Sequence, residues 1–381
     1  MHKEPKDWDI CTSALPEQVI DVFENYKIIP TGLKHGTVTI IINDEQYEIT
    51  TYRIDGEYED NRHPKEVKFT TSLEQDLSRR DFTINAMAYN PQTGLIDIFG
   101  GRKDIEGQII RCVGDAEKRF EEDALRILRA MRFAIRYNFI IDLDTIAAMN
   151  KCRFLLSKIS EERINSELTQ MLACDGDSIY FTFGYTSDIL TVIVPELRYI
   201  MSEYWMFRLK EPNELNMRLT LFFDFYNPEN ILKRMRFDNK TMSSVCNIRK
   251  YGQAVFWSQD IFENVSHYAK WLLNKVGYDD AISAVQYART YTNTAEIGEK
   301  YDDYINSLYE SIQRAYFNKE CYMLSSLKVN GTDAINAGFK GKSIGSVLNR
   351  LLNLVMSEMM DNDRDKLLKK LDEYGTEMQE M

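Results

Sequence analysis

The stretch "TVTIIINDEQYEITTYR", residues 37–53, decides how the first part of the chain folds. Residues 38–42 are β-branched and mostly apolar, Asn43 and Asp44 carry turn chemistry, and residues 47–53 can pair back, so the pattern predicts a β-hairpin. Side chains alternate across a strand. Tyr47 and Ile49 therefore share one face, and Glu48 and Thr50 the other.

Upstream, "KDWDICTSALPEQV" (residues 6–19) sets Asp7 and Asp9 two positions apart. In a strand their carboxylates lie side by side, with Trp8 and Ile10 pointing the other way. If this strand neighbours the one carrying Glu48, three carboxylates converge, and they require counter-charge. Two Mg²⁺ ions would supply it, since Mg²⁺ prefers carboxylate oxygens and substrate phosphates. Such a pair can activate an attacking hydroxyl and steady a leaving pyrophosphate. The competing reading is of exposed acids near a terminus and on a hairpin.

Around these strands the texture is mixed. "ALPEQVIDVFENY" (residues 14–26) has helical apolar spacing, and "EVKFTTS" and "LIDIF" read as further strands. From about residue 114 the pattern turns helical and stays so. In "ISEERINSELTQML", Ser160 is a candidate N-cap with Glu161 and Glu162 in the first turn; Arg163 stands where a capping box would want Glu or Gln. The expected fold is α+β: a palm-like mixed-sheet head followed by helices.

Two further segments carry chemistry. "DLSRRDFTINAM" (residues 76–87) joins Asp76, Arg79, Arg80 and Asp81; arginine forks suit phosphate and ribose oxygens, and a surface ion-pair cluster is the alternative. In "EEDALRILRAMRF" (residues 121–133), Asp123 and Arg126 are spaced i,i+3, with Arg129 and Arg132 further along. An ionised Asp only accepts hydrogen bonds and Arg only donates. Together they match the donor-beside-acceptor edge shared by cytosine and adenine, and they mismatch uracil and guanine. The rival reading is an ordinary helical ion pair worth a few tenths of a kcal/mol.

Bulk properties narrow the field. The 381 residues are 44% hydrophobic and 28% charged, as in an ordinary water-soluble chain. There is no bilayer-length apolar run and no signal peptide. Six scattered cysteines without a CxxC pair suit reduced thiols in a cytoplasmic protein. Four histidines without helical metal spacing argue against a zinc site or a histidine-based hydrolase. A net charge of −12 confines any RNA contact to part of the surface.

Taken in order, "KDWDICTSALPEQV", "TGLKHGTVTI", "EITTYR", "DLSRRDFTINAMAYN", "LIDIFGGRKDIEGQIIRCVGD" and "RFEEDALRILRAMRFA" resemble the class II tRNA nucleotidyltransferases, the CCA-adding enzymes, whose core bacterial poly(A) polymerases share. "NGTDAINAGFKGKSIGSVLNRLLNLVMS" resembles that family's tail. The resemblance implies a nucleotidyltransferase head at 1–113, a neck with the base-reading helix at 114–175, a body like a degenerate HD domain at 176–265, and a body and tail binding tRNA at 266–381. It implies Mg²⁺ on Asp7, Asp9 and Glu48, the nucleotide contacted by Arg80, the base read by Asp123 and Arg126, and help from Arg129 and Arg132. Arg79, Asp81 and Asn85 would bind ribose or support the site. CTP and ATP would be the donors and the tRNA 3′-hydroxyl the acceptor. Poly(A) synthesis and an inactive tRNA-binding remnant are the alternatives; oligomeric state is left open.

Three details refine this. "DGEYEDNRHPK" (residues 55–65) looks like the head loop that accompanies CCA or A addition. Family members carry a strand, a GGxVRD motif and a helix before the DxD; these are absent from the 381 residues, so weak or absent catalysis is expected of the chain as written. Phe222 and Phe223 stand before Asp224 where an HD domain would need histidine, so no phosphohydrolase activity is expected.

Overall fold

The computed structural model describes residues 8–56, 67–199, 203–210, 212, 214–224, 227–257, 264–292 and 299–379. Asp7 and most of the expected head loop lie outside these residues. The chain divides into two compact units, residues 1–211 and 212–381. The first unit thus joins the expected head and neck with the start of the expected body.

The head is built on a four-stranded sheet ordered β1-β4-β3-β2, with β1 Asp9–Thr12, β2 Lys27–Gly32, β3 Thr37–Ile42 and β4 Glu45–Thr51. The expected hairpin forms as β3–β4, with Val38 opposite Ile49 and Thr39 opposite Glu48. Asn43 (φ 53°) and Asp44 (φ 66°) both take left-handed backbone, the two-residue turn whose twist matches the strands it joins. β1 then runs parallel to β4, opposite the edge to which β3 pairs.

The two faces of this sheet differ. Helix α1 (Pro16–Val22) covers one, packing Val19 against Val38, Ile40 and Ile49. It starts where Pro16 presets the first helical φ and Gln18 Oε1 accepts the Leu15 N–H at 2.8 Å. Asp9, Glu48, Thr39 and Thr50 belong to the other face.

Beyond the sheet come β5 (Arg53–Asp55), β6 (Val67–Phe69), α2 (Leu73–Ser78), β7 (Ala88–Asn90), β8 (Gly94–Ile96), α3 (Gly101–Glu106) and β9 (Ile109–Ile110). Gly101 lets α3 press on the turn at residues 83–85: a Cβ there would lie 2.2 Å from the Thr83 carbonyl oxygen. Thr83 Oγ1 donates to Asp104 on α3 at 2.7 Å, which fixes that turn further.

The rest of the first unit is helical: α4 (Ala116–Glu122), α5 (Leu125–Tyr137), the short β10 (Ile140–Ile141), α6 (Leu143–Cys152), α7 (Glu161–Leu172), α8 (Gly176–Tyr185), α9 (Ser187–Ile193) and α10 (Glu203–Arg208). The expected continuous helix through residues 121–133 is corrected. Asp123 breaks it with an extended backbone (φ −144°, ψ 104°). Its side chain accepts from the Leu125 N–H at 3.0 Å, so it starts α5 rather than riding on it. A short acceptor side chain competes with helical hydrogen bonding in this way.

The second unit holds α11 (Leu215–Phe222), α12 (Pro228–Arg234), α13 (Asn239–Trp257), α14 (Val265–Thr292), α15 (Glu299–Phe317), α16 (Gly331–Asn336), α17 (Lys342–Met356) and α18 (Arg364–Gln379). Gly277 (φ 77°) kinks α14. One apolar cluster lies within α13–α15, another within α16–α18 and the segment before them. At the position where an HD domain would need histidine, Phe222 and Phe223 are fully buried. Asp224 accepts from Arg249 Nε at 3.1 Å and the Tyr287 hydroxyl at 2.7 Å. Among the described residues no helix is long and apolar enough to cross a membrane.

Candidate active site

Parallel pairing of β1 with β4 sets Asp9 directly against Glu48. In-register partners project to one face, and adjacent strands lie about 4.8 Å apart, so the two carboxylates are neighbours. Both are exposed, and neither has a hydrogen-bond or ion-pair partner among the described residues. Two adjacent hard-oxygen donors suit a hard dication such as Mg²⁺. Asp7, the third expected carboxylate, lies outside the described residues. Among those residues no group of three or more metal-ligating side chains is found.

Asp9 also lines a cleft of about 610 Å³ shared with Arg79, Arg80, Asp81, Asn85, Asp123, Leu125, Arg126, Arg129, Phe133 and Arg163. Five arginines and three aspartates line it, so its wall offers guanidinium donors of the kind that suit phosphate oxygens. The Cys11 thiol stands on the same sheet face as Asp9. Burial pushes its pKa up, Arg80 pulls it down, and Asp76 and Asp9 raise it again.

The arginines are held by neighbours. Arg79 donates Nε and Nη2 to Asp76 Oδ1 at 3.0 and 2.8 Å. Arg80 Nη1 donates to the Asn85 carbonyl at 3.1 Å. Arg129 clamps Asp81 Oδ2 through Nε and Nη2 at 2.8 and 2.6 Å, while Asp81 Oδ1 accepts from the Phe82 N–H and Asn85 Nδ2. Burial would lower the Arg129 pKa, but the Asp81 charge and hydrogen bonds outweigh it and raise the value.

The ion pair weighed for Asp123 and Arg126 does not form. Asp123 Oδ2 accepts from Arg163 Nη2 on α7 at 2.9 Å. Arg126 donates Nη1 to Glu122 at 2.9 Å and to the Arg119 carbonyl at 3.3 Å, and Nη2 to the Arg79 carbonyl at 3.0 Å. Each Asp123 oxygen keeps acceptor capacity, because a carboxylate offers about four lone-pair sites. Arg126 keeps its Nε–H and one Nη2–H. The two side chains therefore stand separately braced at the cleft, with donor and acceptor capacity to spare.

Two expected residues stand apart from the lining. Glu48 lies one strand over from Asp9. Arg132 is buried and directs its Nε to Glu167 at 2.5 Å, with its guanidinium 4.3 Å from the Phe133 ring centre. It is not among the residues that line the cleft. Arg163, Leu125 and Phe133 are lining residues that sequence reading missed. Arg163 had a signal: a cation in the first turn of a helix opposes the dipole there and calls for a local anion. Ser160 does occupy the N-cap of α7, though its hydroxyl makes no capping bond.

A carboxylate-faced mixed sheet beside an arginine-lined cleft defines a nucleotidyltransferase head. A family model described as "Poly A polymerase head domain" matches residues 1–111, and one described as "Probable RNA and SrmB- binding site of polymerase A" matches residues 138–201. Over 380 residues the chain is 31% identical to the CCA-adding enzyme of Bacillus cytotoxicus, covering 95% of this chain and 88% of that relative. It is 48% identical over 189 residues to the CCA-adding enzyme of Oceanobacillus iheyensis, covering 50% of this chain and 46% of the relative; matches of this higher identity span less than half the length of the relatives concerned. The crystal structure of the Bacillus stearothermophilus CCA-adding enzyme in complex with CTP superposes with a TM-score of 0.78 at 27% identity, covering 99% of this chain and 91% of that one. The chain belongs to the CCA-adding enzyme family.

Proposed function

We propose that this chain adds CMP and AMP, without a template, to the 3′ end of tRNA, with CTP and ATP as donors. The observation that carries this reading is the double membership of Asp9: it pairs in register with Glu48 and also lines the arginine cleft. The reacting phosphate would thus lie between an acidic strand pair and an arginine-lined wall. Membership of the CCA-adding family supports the same reading, and the six free thiols agree with a cytoplasmic setting.

In this reading Asp9, Glu48 and Asp7 would hold Mg²⁺. When bound, the metal would supply Lewis-acid stabilisation of phosphate charge. Arg79 and Arg80 grip the triphosphate, and Arg129 fixes Asp81 beside the ribose. Asp123 accepts from the exocyclic amino group of C or A, and Arg126 donates to the adjacent ring nitrogen. Arg163 holds Asp123 in the accepting orientation. The tRNA 3′-hydroxyl attacks the α-phosphate, the new phosphodiester bond forms, and pyrophosphate leaves.

The test is incorporation of labelled CTP and ATP into tRNA lacking its CCA end. Incorporation that stops after CCA is expected, falling at least about 100-fold in Asp9→Asn and Glu48→Gln, as for the loss of a metal ligand. Long A tracts on generic RNA would assign poly(A) synthesis instead. tRNA binding with no incorporation above the level of Asp9→Asn or Glu48→Gln would assign a binding role alone.

A further inference from the structure

Asp76 lies behind the cleft, not in its lining, yet it touches both arginines that face it. It is 2% exposed. Its Oδ1 accepts from Arg79 Nε and Nη2 and from the Arg53 N–H at 3.2 Å; its Oδ2 lies 3.6 Å from Arg80 Nη2. A carboxylate this buried requires paired charge and hydrogen bonds, and here they come from two consecutive guanidinium groups and one backbone amide.

The consequence concerns Arg79 and Arg80. Adjacent like charges repel, and long arginine side chains lose entropy when held. With an internal counter-ion that cost is met before any ligand arrives, so the pair faces the cleft already ordered. Other contacts support the same turn: Arg126 donates to the Arg79 carbonyl, and Arg119 Nη1 donates to the Ser78 carbonyl at 2.9 Å. The Arg53 amide also ties β5 to this carboxylate.

We infer that Asp76 is a positioning residue for triphosphate recognition: through Arg79 and Arg80 it sets how strongly the site prefers a nucleoside triphosphate to the monophosphate. The inference rests on the proposed role of those two arginines. It predicts an effect that tracks the β- and γ-phosphates, which a general structural role would not produce.

The experiment is equilibrium binding of CTP and of CMP to the full chain in EDTA, which removes any metal contribution. The wild type is expected to bind CTP at least about tenfold more tightly than CMP, the scale of charge-assisted hydrogen bonds. Asp76→Asn keeps the shape and an acceptor for the Arg53 amide but loses the charge. Its CTP/CMP ratio should fall to within about twofold, with CMP affinity little changed. If that variant does not fold, Asp76→Glu is used; the charge displaced by one methylene should lower the ratio too. An unchanged ratio in the folded variant overturns the role of Asp76 alone. A wild type that does not prefer CTP overturns the triphosphate role of Arg79 and Arg80 beneath it.

Discussion

Arg129 and Arg132 sit three residues apart on α5 and meet different anions. Arg129 is about one-third exposed and pairs with Asp81 at the cleft; Arg132 is buried and pairs with Glu167 on α7. A buried pair is costly to break, because the partner left behind keeps its charge without compensation. Arg132→Met should destabilise the chain by about 3–5 kcal/mol in denaturant unfolding. Adding Glu167→Leu should regain most of the loss, since it removes the orphaned charge. A single variant as stable as the wild type would show that this ion pair contributes little.

Among the elements, the start of α16 shows how one carboxylate joins two helices. Asp333 accepts the Asn330 N–H at 2.9 Å and pairs with Arg364 of α18 at 2.7 Å. The Arg364 hydrogen bond, then the backbone bond from Asn330, hold its pKa below the ordinary 3.8. A depressed pKa means that the folded form binds the proton less readily than the unfolded chain. The stabilisation is therefore present above the unfolded value and is lost as pH falls through the folded one. Asp333→Asn should melt below the wild type near neutral pH, and the gap should narrow as pH falls from about 5 to about 3. A gap that stays constant would show that this carboxylate does not carry the acid limb.

For the whole molecule, the division into two units gives a spatial prediction. Every residue lining the arginine cleft lies within residues 1–211. CTP binding should slow hydrogen exchange in peptides covering residues 73–85, 116–137 and 161–167 and leave residues 239–292 unchanged. At about 100 times Kd, the bound state gains about 2.7 kcal/mol against opening that releases the ligand. Protection centred in the second unit would place nucleotide binding elsewhere.

Local pattern was enough for several features. Alternation and the Asn43-Asp44 turn determined the β3–β4 hairpin and the face on which Glu48 stands, because strand period and turn chemistry act over neighbouring residues. Apolar spacing likewise marked the helical remainder, and the ordered motifs marked the family. Only the tertiary structure decided the partners. Arg163 reaches Asp123 from 40 residues away, Arg132 turns to Glu167 rather than the cleft, and a carboxylate breaks the expected helix at residue 123. An arginine carries the same charge wherever it stands; which anion meets it depends on packing between segments distant in the chain.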